Sequence, residues 1–260
     1  MVSDNGISEV KSLPDYTDWL KSDWTKVSSF SEGAVTTSTK TVALKDPVQY
    51  SVACLQTTVK CSSGTLKDNA AEITKSYGEG KLADQDITIP TDGYILTGIL
   101  VGGQPAKVDW AFNPTSEEKF EHTIYDKDMN ATDSQIKVTT SDGTSNYTLV
   151  LDNKSLGESQ SDVYVTLELV NKGGSSFYGA DGLIPQNGKF YLIGKLALEN
   201  KTTQDIDHVF LKDYTTKANF TITSLKKAYN CIPDLRAAGV NVGLAVDLEW
   251  KEGITFDVDL

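Results

Sequence analysis

The strongest constraint in this 260-residue chain lies at its carboxy-terminal end. Val240, Val242, Leu244, Val246, Leu248 and Trp250 occupy every second position, Lys251-Glu252-Gly253 interrupts them, and Ile254, Phe256, Val258 and Leu260 resume the alternation. Successive side chains of a strand point to opposite faces, so each run lays its apolar set on one face. The glycine-containing gap suits a turn between two strands. Because chain ends are usually polar and frayed, an apolar final strand is expected to be buried, in its own domain or in another molecule. The pattern alone leaves both outcomes open.

The same two-residue period governs most of the chain from Val48 onward. Strands are expected at Tyr50 to Lys60, Ile87 to Ile89, Tyr94 to Val101, Val108 to Phe112, Ile136 to Val138, Tyr147 to Leu151, Val163 to Leu169, Phe190 to Leu198 and Ala218 to Ile222. Turn residues punctuate them: Asp92-Gly93, Gly102-Gly103-Gln104-Pro105, Asn113-Pro114, Ser141-Asp142-Gly143 (a hairpin signal) and Pro185 to Gly188. Ser224 is a good N-cap, and Leu225, Ala228, Tyr229 and Ile232 follow at helical spacing until Pro233. The prediction is an all-β antiparallel sandwich with one short helix near residues 224–231. Before it, Pro14, Trp19, Leu20 and Trp24 have a rough helical spacing that fits a capping helix or an aromatic ligand platform. Residues 1–45 thus read as an amino-terminal segment and 46–260 as the sandwich domain.

Composition narrows the function. A formal net charge of −12 opposes nucleic acid and anionic membranes as partners. No stretch approaches the roughly 18 apolar residues that span a bilayer. The opening residues have neither the basic nor the apolar region of a secretory signal, so a cytoplasmic protein, or a mature or truncated form, is expected. Cys54, Cys61 and Cys231 make no disulfide framework; Cys54 and Cys61 would face opposite sides of one strand, and three unpaired structural thiols are expected. The two histidines, His122 and His208, stand apart from any nucleophile or metal-spaced partner and read as surface or packing residues. Asp126, Asp128 and Asn130 open like a calcium loop, but Ala131 and Lys137 occupy the positions that need glycine and glutamate, so no metal is expected. Asn130, Asn146, Asn200 and Asn219 begin acceptor-like triplets that such an Asn- and Thr-rich chain produces by chance. Neither a cofactor nor catalysis is expected.

A set of short blocks, in order, resembles the fimbrillins, the pilus subunit family of Bacteroidales bacteria. They are Tyr94-Ile95-Leu96-Thr97-Gly98-Ile99-Leu100-Val101-Gly102-Gly103-Gln104, Val108-Asp109-Trp110 with Phe112-Asn113-Pro114, Ile184-Pro185 with Gly188 to Leu192, Val209-Phe210, and Asp213 to Thr216. The strongest runs from Thr221 through Asn230 to Ile232-Pro233-Asp234-Leu235-Arg236, and the last comprises Gly243-Leu244, Val246 to Leu248, Trp250 and Thr255-Phe256. The resemblance implies a transthyretin-like β-sandwich in a lipoprotein exported to the cell surface. It also implies a type V pilus in which a trypsin-like protease removes a strand and the next subunit's carboxy-terminal strand fills the groove. The family's lipobox cysteine is not found here, and its groove-bearing amino-terminal domain has only about 45 residues in its place.

On this reading the donor strand is Ile254, Phe256, Val258 and Leu260, with Leu244, Val246, Leu248 and Trp250 as its hairpin partner. Burying the four donor side chains would contribute roughly 6–12 kcal/mol before entropy, an upper bound. The expected partners are other fimbrial subunits and a host or bacterial surface ligand. The alternative is a secreted glycan- or protein-binding adhesin that does not polymerise, with Trp19, Trp24 or Trp110 as a stacking platform. Trp110 and Phe112 share parity, which favours core packing on one shared face over a platform at Trp110.

Overall fold

Alternating sequence becomes alternating burial most plainly in β1 (Ala53–Cys61), where each odd-numbered side chain is buried and each even-numbered one is half-buried. The computed structural model describes residues 50–68, 84–115, 121–127, 135–154, 163–197, 208–235 and 242–251, all within the unit Val48–Thr255. The expected aromatic platform of Trp19 and Trp24 and the run Ile254, Phe256, Val258 and Leu260 lie outside the described residues.

The remaining strands are β2 (Thr65–Asp68), β3 (Gln85–Thr88), β4 (Tyr94–Gln104), β5 (His122–Asp126), β6 (Ile136–Val138), β7 (Asn146–Val150), β8 (Val163–Val170), β9 (Phe177–Tyr178), β10 (Leu183–Ile184), β11 (Lys189–Leu196), β12 (Thr215–Ile222) and β13 (Leu244–Lys251). They form an all-β protein of several sheets. A four-stranded sheet runs β13-β12-β1-β7, and a five-stranded sheet runs β11-β8-β4-β5 with β6 also on β4. Two-stranded pieces, β2-β3 and β10-β9, complete it. Both larger sheets are open.

One core draws on both larger sheets: Leu55, Val59, Ala218, Phe220 and Ile222 from one, and Leu96, Ile99, Val165, Leu167, Phe190 and Leu192 from the other. The sheets approach closely at Gly194 on β11, where a Cβ would lie 2.6 Å from the Phe220 ring and 2.8 Å from Val246. Tyr94 and Phe177 meet Phe190 edge-on, with centroids 5.2 and 5.4 Å away.

Several expectations are corrected. The sheets are not antiparallel throughout, because β1 runs parallel to β12, with Cys54 opposite Thr215 and Cys61 opposite Ile222. Ser141-Asp142-Gly143 does not close a hairpin; β6 pairs with β4 and β7 with β1, so this segment carries the chain from one sheet to the other. Gly102-Gly103-Gln104 is not a turn but the end of β4, bulged against β5 between Val101 and Gln104. Val108 to Phe112 is not a strand but a tight loop closed by a single bridge between Val108 and Pro114.

No helix forms near 224–231. Ser224 Oγ does accept the Lys226 amide at 3.2 Å, and the Ala228 amide reaches the Leu225 carbonyl at 2.9 Å, so a first turn begins as its sequence asks. It stops there because the next backbone groups are used elsewhere. The Ala228 carbonyl accepts from Ala180, and Tyr229 exchanges two hydrogen bonds with Tyr191, at 2.8 and 2.9 Å, sealing the edge of β11. Leu225 and Ala228 are buried as the helical pattern required, whereas Ile232 is 49% exposed.

Candidate functional site

β13, the expected hairpin partner, is the last strand of the four-stranded sheet. It pairs antiparallel with β12 over eight positions, from Thr215 opposite Lys251 to Ile222 opposite Leu244. Leu244 is buried and Val246 half-buried; Leu248 and Trp250 stand opposite Ala218 and Thr216 in the backbone register. Just before it, the Gly243 amide bonds the Ile193 carbonyl at 2.8 Å, so the chain arrives from the edge of β11 and crosses to β12. Among the described residues β13 is therefore an edge strand of this sheet, ending at Lys251.

The second place is the loop around Asp109. Its carboxylate accepts the Ala111 amide at 2.8 Å, the Asn113 amide at 2.9 Å and Asn113 Nδ2 at 3.0 Å. The Asn113 side chain, and then the Asn113 and Ala111 amides, hold the Asp109 pKa below the ordinary carboxylate value. The Phe112 amide bonds back to the Asp109 carbonyl at 3.0 Å, with Phe112 at φ 62°, a sparsely populated backbone for an aromatic residue. Lys212 Nζ donates to Asn113 Oδ1 at 2.6 Å, and the Lys212 amide to Asp152 Oδ2 at 3.1 Å. Asp152 lies 3.2 Å from buried His208, so the loop is tied to the protein interior. Burial works against ionisation of Asp152, but His208 and the amides of Lys212 and Lys154 outweigh it and lower its pKa. What this loop presents is Trp110, 94% exposed, with Phe112 two residues on at 43%. The core-packing reading of Trp110 and Phe112 is thereby corrected: their shared parity belongs to a displayed turn.

The third place carries the most polar chemistry, and nothing in the sequence pattern singles it out. Glu168, on β8, is 1% exposed. Its carboxylate accepts Thr97 Oγ1, Tyr125 Oη and Lys189 Nζ, each at 2.7 Å, and Tyr191 Oη at 3.1 Å. Burial alone would raise its pKa, but Lys189, Thr97, Tyr125 and Tyr191 together bring it down to about 2. Burial and the carboxylate push Tyr191 up to about 12 and raise Tyr125 as well. Local structure makes the cluster possible. Thr97 sits at the irregularity between Leu96 and Gly98 in the β4–β8 register, and a Cβ on Gly98 would be 2.8 Å from the Tyr125 ring. With four donors on two oxygens the carboxylate has little capacity left for a reacting group, and the arrangement ties β4, β5, β8 and β11 together.

The histidines stay apart: His122 is exposed on β5, and His208 is buried against Asp152. All three cysteines are free. Cys61 faces the core, where burial pushes its thiol up to about 12, while Cys54 lies half-buried on the other face of β1. Exposed Cys231 donates to Asp181 at 3.3 Å. Of the acceptor-like triplets, Asn219 lies within β12, where its Oδ1 accepts from Thr58, and Asn146 begins β7; Asn130 and Asn200 are outside the described residues. Asp126, the first residue of the calcium-like segment, accepts Thr148 Oγ1 at 2.7 Å, and no group of three or more metal-ligating side chains occurs among the described residues. No described helix is long and apolar enough to cross a membrane.

No family model, no curated protein and no solved structure matches the chain.

Proposed function

We propose that this chain is a structural subunit of a bacterial surface fimbria, of transthyretin-like sandwich type, that donates its carboxy-terminal strand to the next subunit. The observation that carries the reading is the placement of β13. It is the last strand of an open sheet, and the chain runs on from it into Ile254, Phe256, Val258 and Leu260. Alternate apolar side chains on an added strand fill successive pockets while the backbone supplies the hydrogen bonds. The fimbrillin resemblance supplies the setting: export to the cell surface and assembly triggered by a protease. The test is to mix the full chain with a protease-treated fimbrillin and follow heat-resistant oligomers on a denaturing gel. The wild-type chain is expected to add to them, and the double variant Ile254→Asp, Phe256→Asp to add at least tenfold less, since two buried carboxylates cost several kcal/mol. Equal incorporation of both proteins would defeat the reading.

A second reading, an adhesin that does not polymerise, is favoured by Trp110. An indole left almost wholly in water on a loop held by the exposed Asp109 carboxylate suits stacking on the apolar face of a sugar ring or insertion into a partner protein. Quenching of tryptophan fluorescence by a glycan, abolished in Trp110→Ala, supports it. A broad panel without response counts against it.

A further inference from the structure

The opposite end of the four-stranded sheet is β7, which carries no further strand on its outer side among the described residues, and that edge is self-complementary. We infer that β7 pairs with β7 of a second copy of this chain, antiparallel about a two-fold axis through Thr148. The parity of the backbone decides which groups face outward. The amides of Cys54 and Ser62 bond toward β12, to the carbonyls of Tyr214 and Ile222. Even-numbered residues of β1 therefore turn their backbone to β12, and odd-numbered ones turn theirs to β7. Since Leu55 stands opposite Thr148 and Ala53 opposite Val150, Thr148 and Val150 spend their backbone groups on β1. Tyr147 and Leu149 then aim theirs away from the sheet. Leu151 confirms the parity, because its amide points outward and is taken by Gln104 Oε1 at 2.9 Å. No such partner meets the outward groups of Tyr147 and Leu149 among the described residues.

The side chains make the same case. Tyr147 is 61% and Leu149 68% exposed on the outer face. A two-fold centred on Thr148 sets Tyr147 of each copy opposite Leu149 of the other, twice, with four backbone hydrogen bonds at those positions. Aromatic and aliphatic cross-strand pairs are favourable, and an isologous contact closes after two copies. Free edges are usually blunted by charge, proline or a bulge. The segment Ser145 to Leu151 has no charged residue, no proline and no glycine, in a chain with 36 acidic and 24 basic side chains. The nearby Asp142 is engaged by Lys60 at 2.7 Å, and Asp126 by Thr148. With −12 on each copy, the dimer strengthens as salt is added. The inference is independent of strand donation by the carboxy-terminal run.

The test is sedimentation of the full chain over a concentration series, joined to amide exchange at the same concentrations. The Tyr147 and Leu149 amides are expected to gain protection as the dimer fills, with no change at Thr148, which is already bonded to β1. Leu149→Pro removes an outward amide without touching the ladder to β1, and Leu149→Lys replaces the apolar partner of Tyr147 and sets two like charges on the diagonal of the pairing. Each is expected to weaken association about tenfold or more with the melting temperature little changed. A chain ending at Lys251 is expected to dimerise as well as the parent. Three results would overturn the inference: no association up to about 1 mM, association without concentration-dependent protection at Tyr147 and Leu149, or loss of association when residues after Lys251 are removed. The last would place the carboxy-terminal run, not β7, in the contact. The exchange measurement on the unaltered chain decides the matter even if a variant fails to fold.

Discussion

Glu168 and Asp109 are both carboxylates that gather several donors, yet they do opposite work. Glu168, on β8, is buried beneath the outer face of the five-stranded sheet, and its four donors come from β4, β5 and β11, far apart in sequence. Asp109 is at the surface, and its three donors lie within four residues of it. One joins strands and the other folds a single turn. In this molecule burial and sequence separation of the donors mark what holds the fold, whereas an exposed, locally closed cluster marks what the fold presents. Trp110 is what the Asp109 turn presents.

The comparison is tested most severely at Glu168. Glu168→Gln is expected to cost about 2–4 kcal/mol of unfolding free energy, because donors built around an anion face an amide. Its folded pKa of about 2 lies below the ordinary value of 4.5. The carboxylate's contribution is therefore complete above pH 4.5 and is lost as pH falls toward 2. Denaturant melts at pH 7 and pH 2.5 are expected to show a large gap between wild type and variant that narrows at the lower pH. Tyr125→Phe removes one of the four donors, from a ring that is 40% exposed, and should cost about 1 kcal/mol by the same melts. Asp109→Ala should leave the melting temperature nearly unchanged while loosening the loop, seen as lower fluorescence anisotropy of Trp110. Trp110→Ala should change stability least, within about 0.5 kcal/mol, and should remove any glycan response. A large destabilisation from either Asp109→Ala or Trp110→Ala would break the contrast.

Legibility follows the reach of the interactions. Strands with a clean period of two, such as β1, β8, β12 and β13, are readable because one buried face fixes every second residue. The Ser224 turn is half readable: its N-cap and buried Leu225 and Ala228 agree with the pattern, but the helix loses to the edge of β11, which Tyr229 seals from 38 residues away in sequence. Ser141 to Gly143 reads as a hairpin because turn chemistry is local, whereas the sheets to which β6 and β7 belong are set by β4 and β1. Trp110 is misplaced by its pattern, since parity says which residues share a face and not whether that face is covered. The Glu168 cluster leaves almost no local signal. Only a lone Glu amid the alternating Val163 to Leu169, where Thr166 and Glu168 fill the second face, hints that this face is polar and buried.

Strand donation requires that the carboxy-terminal run serve another molecule and not the protein's own core. Thermal melting of the full chain beside a chain ending at Lys251 separates the two outcomes. Equal melting temperatures are expected, with incorporation into protease-treated fimbrillin oligomers lost only from the shortened chain. A shortened chain that melts far lower would place Ile254, Phe256, Val258 and Leu260 in the protein's own core and contradict strand donation.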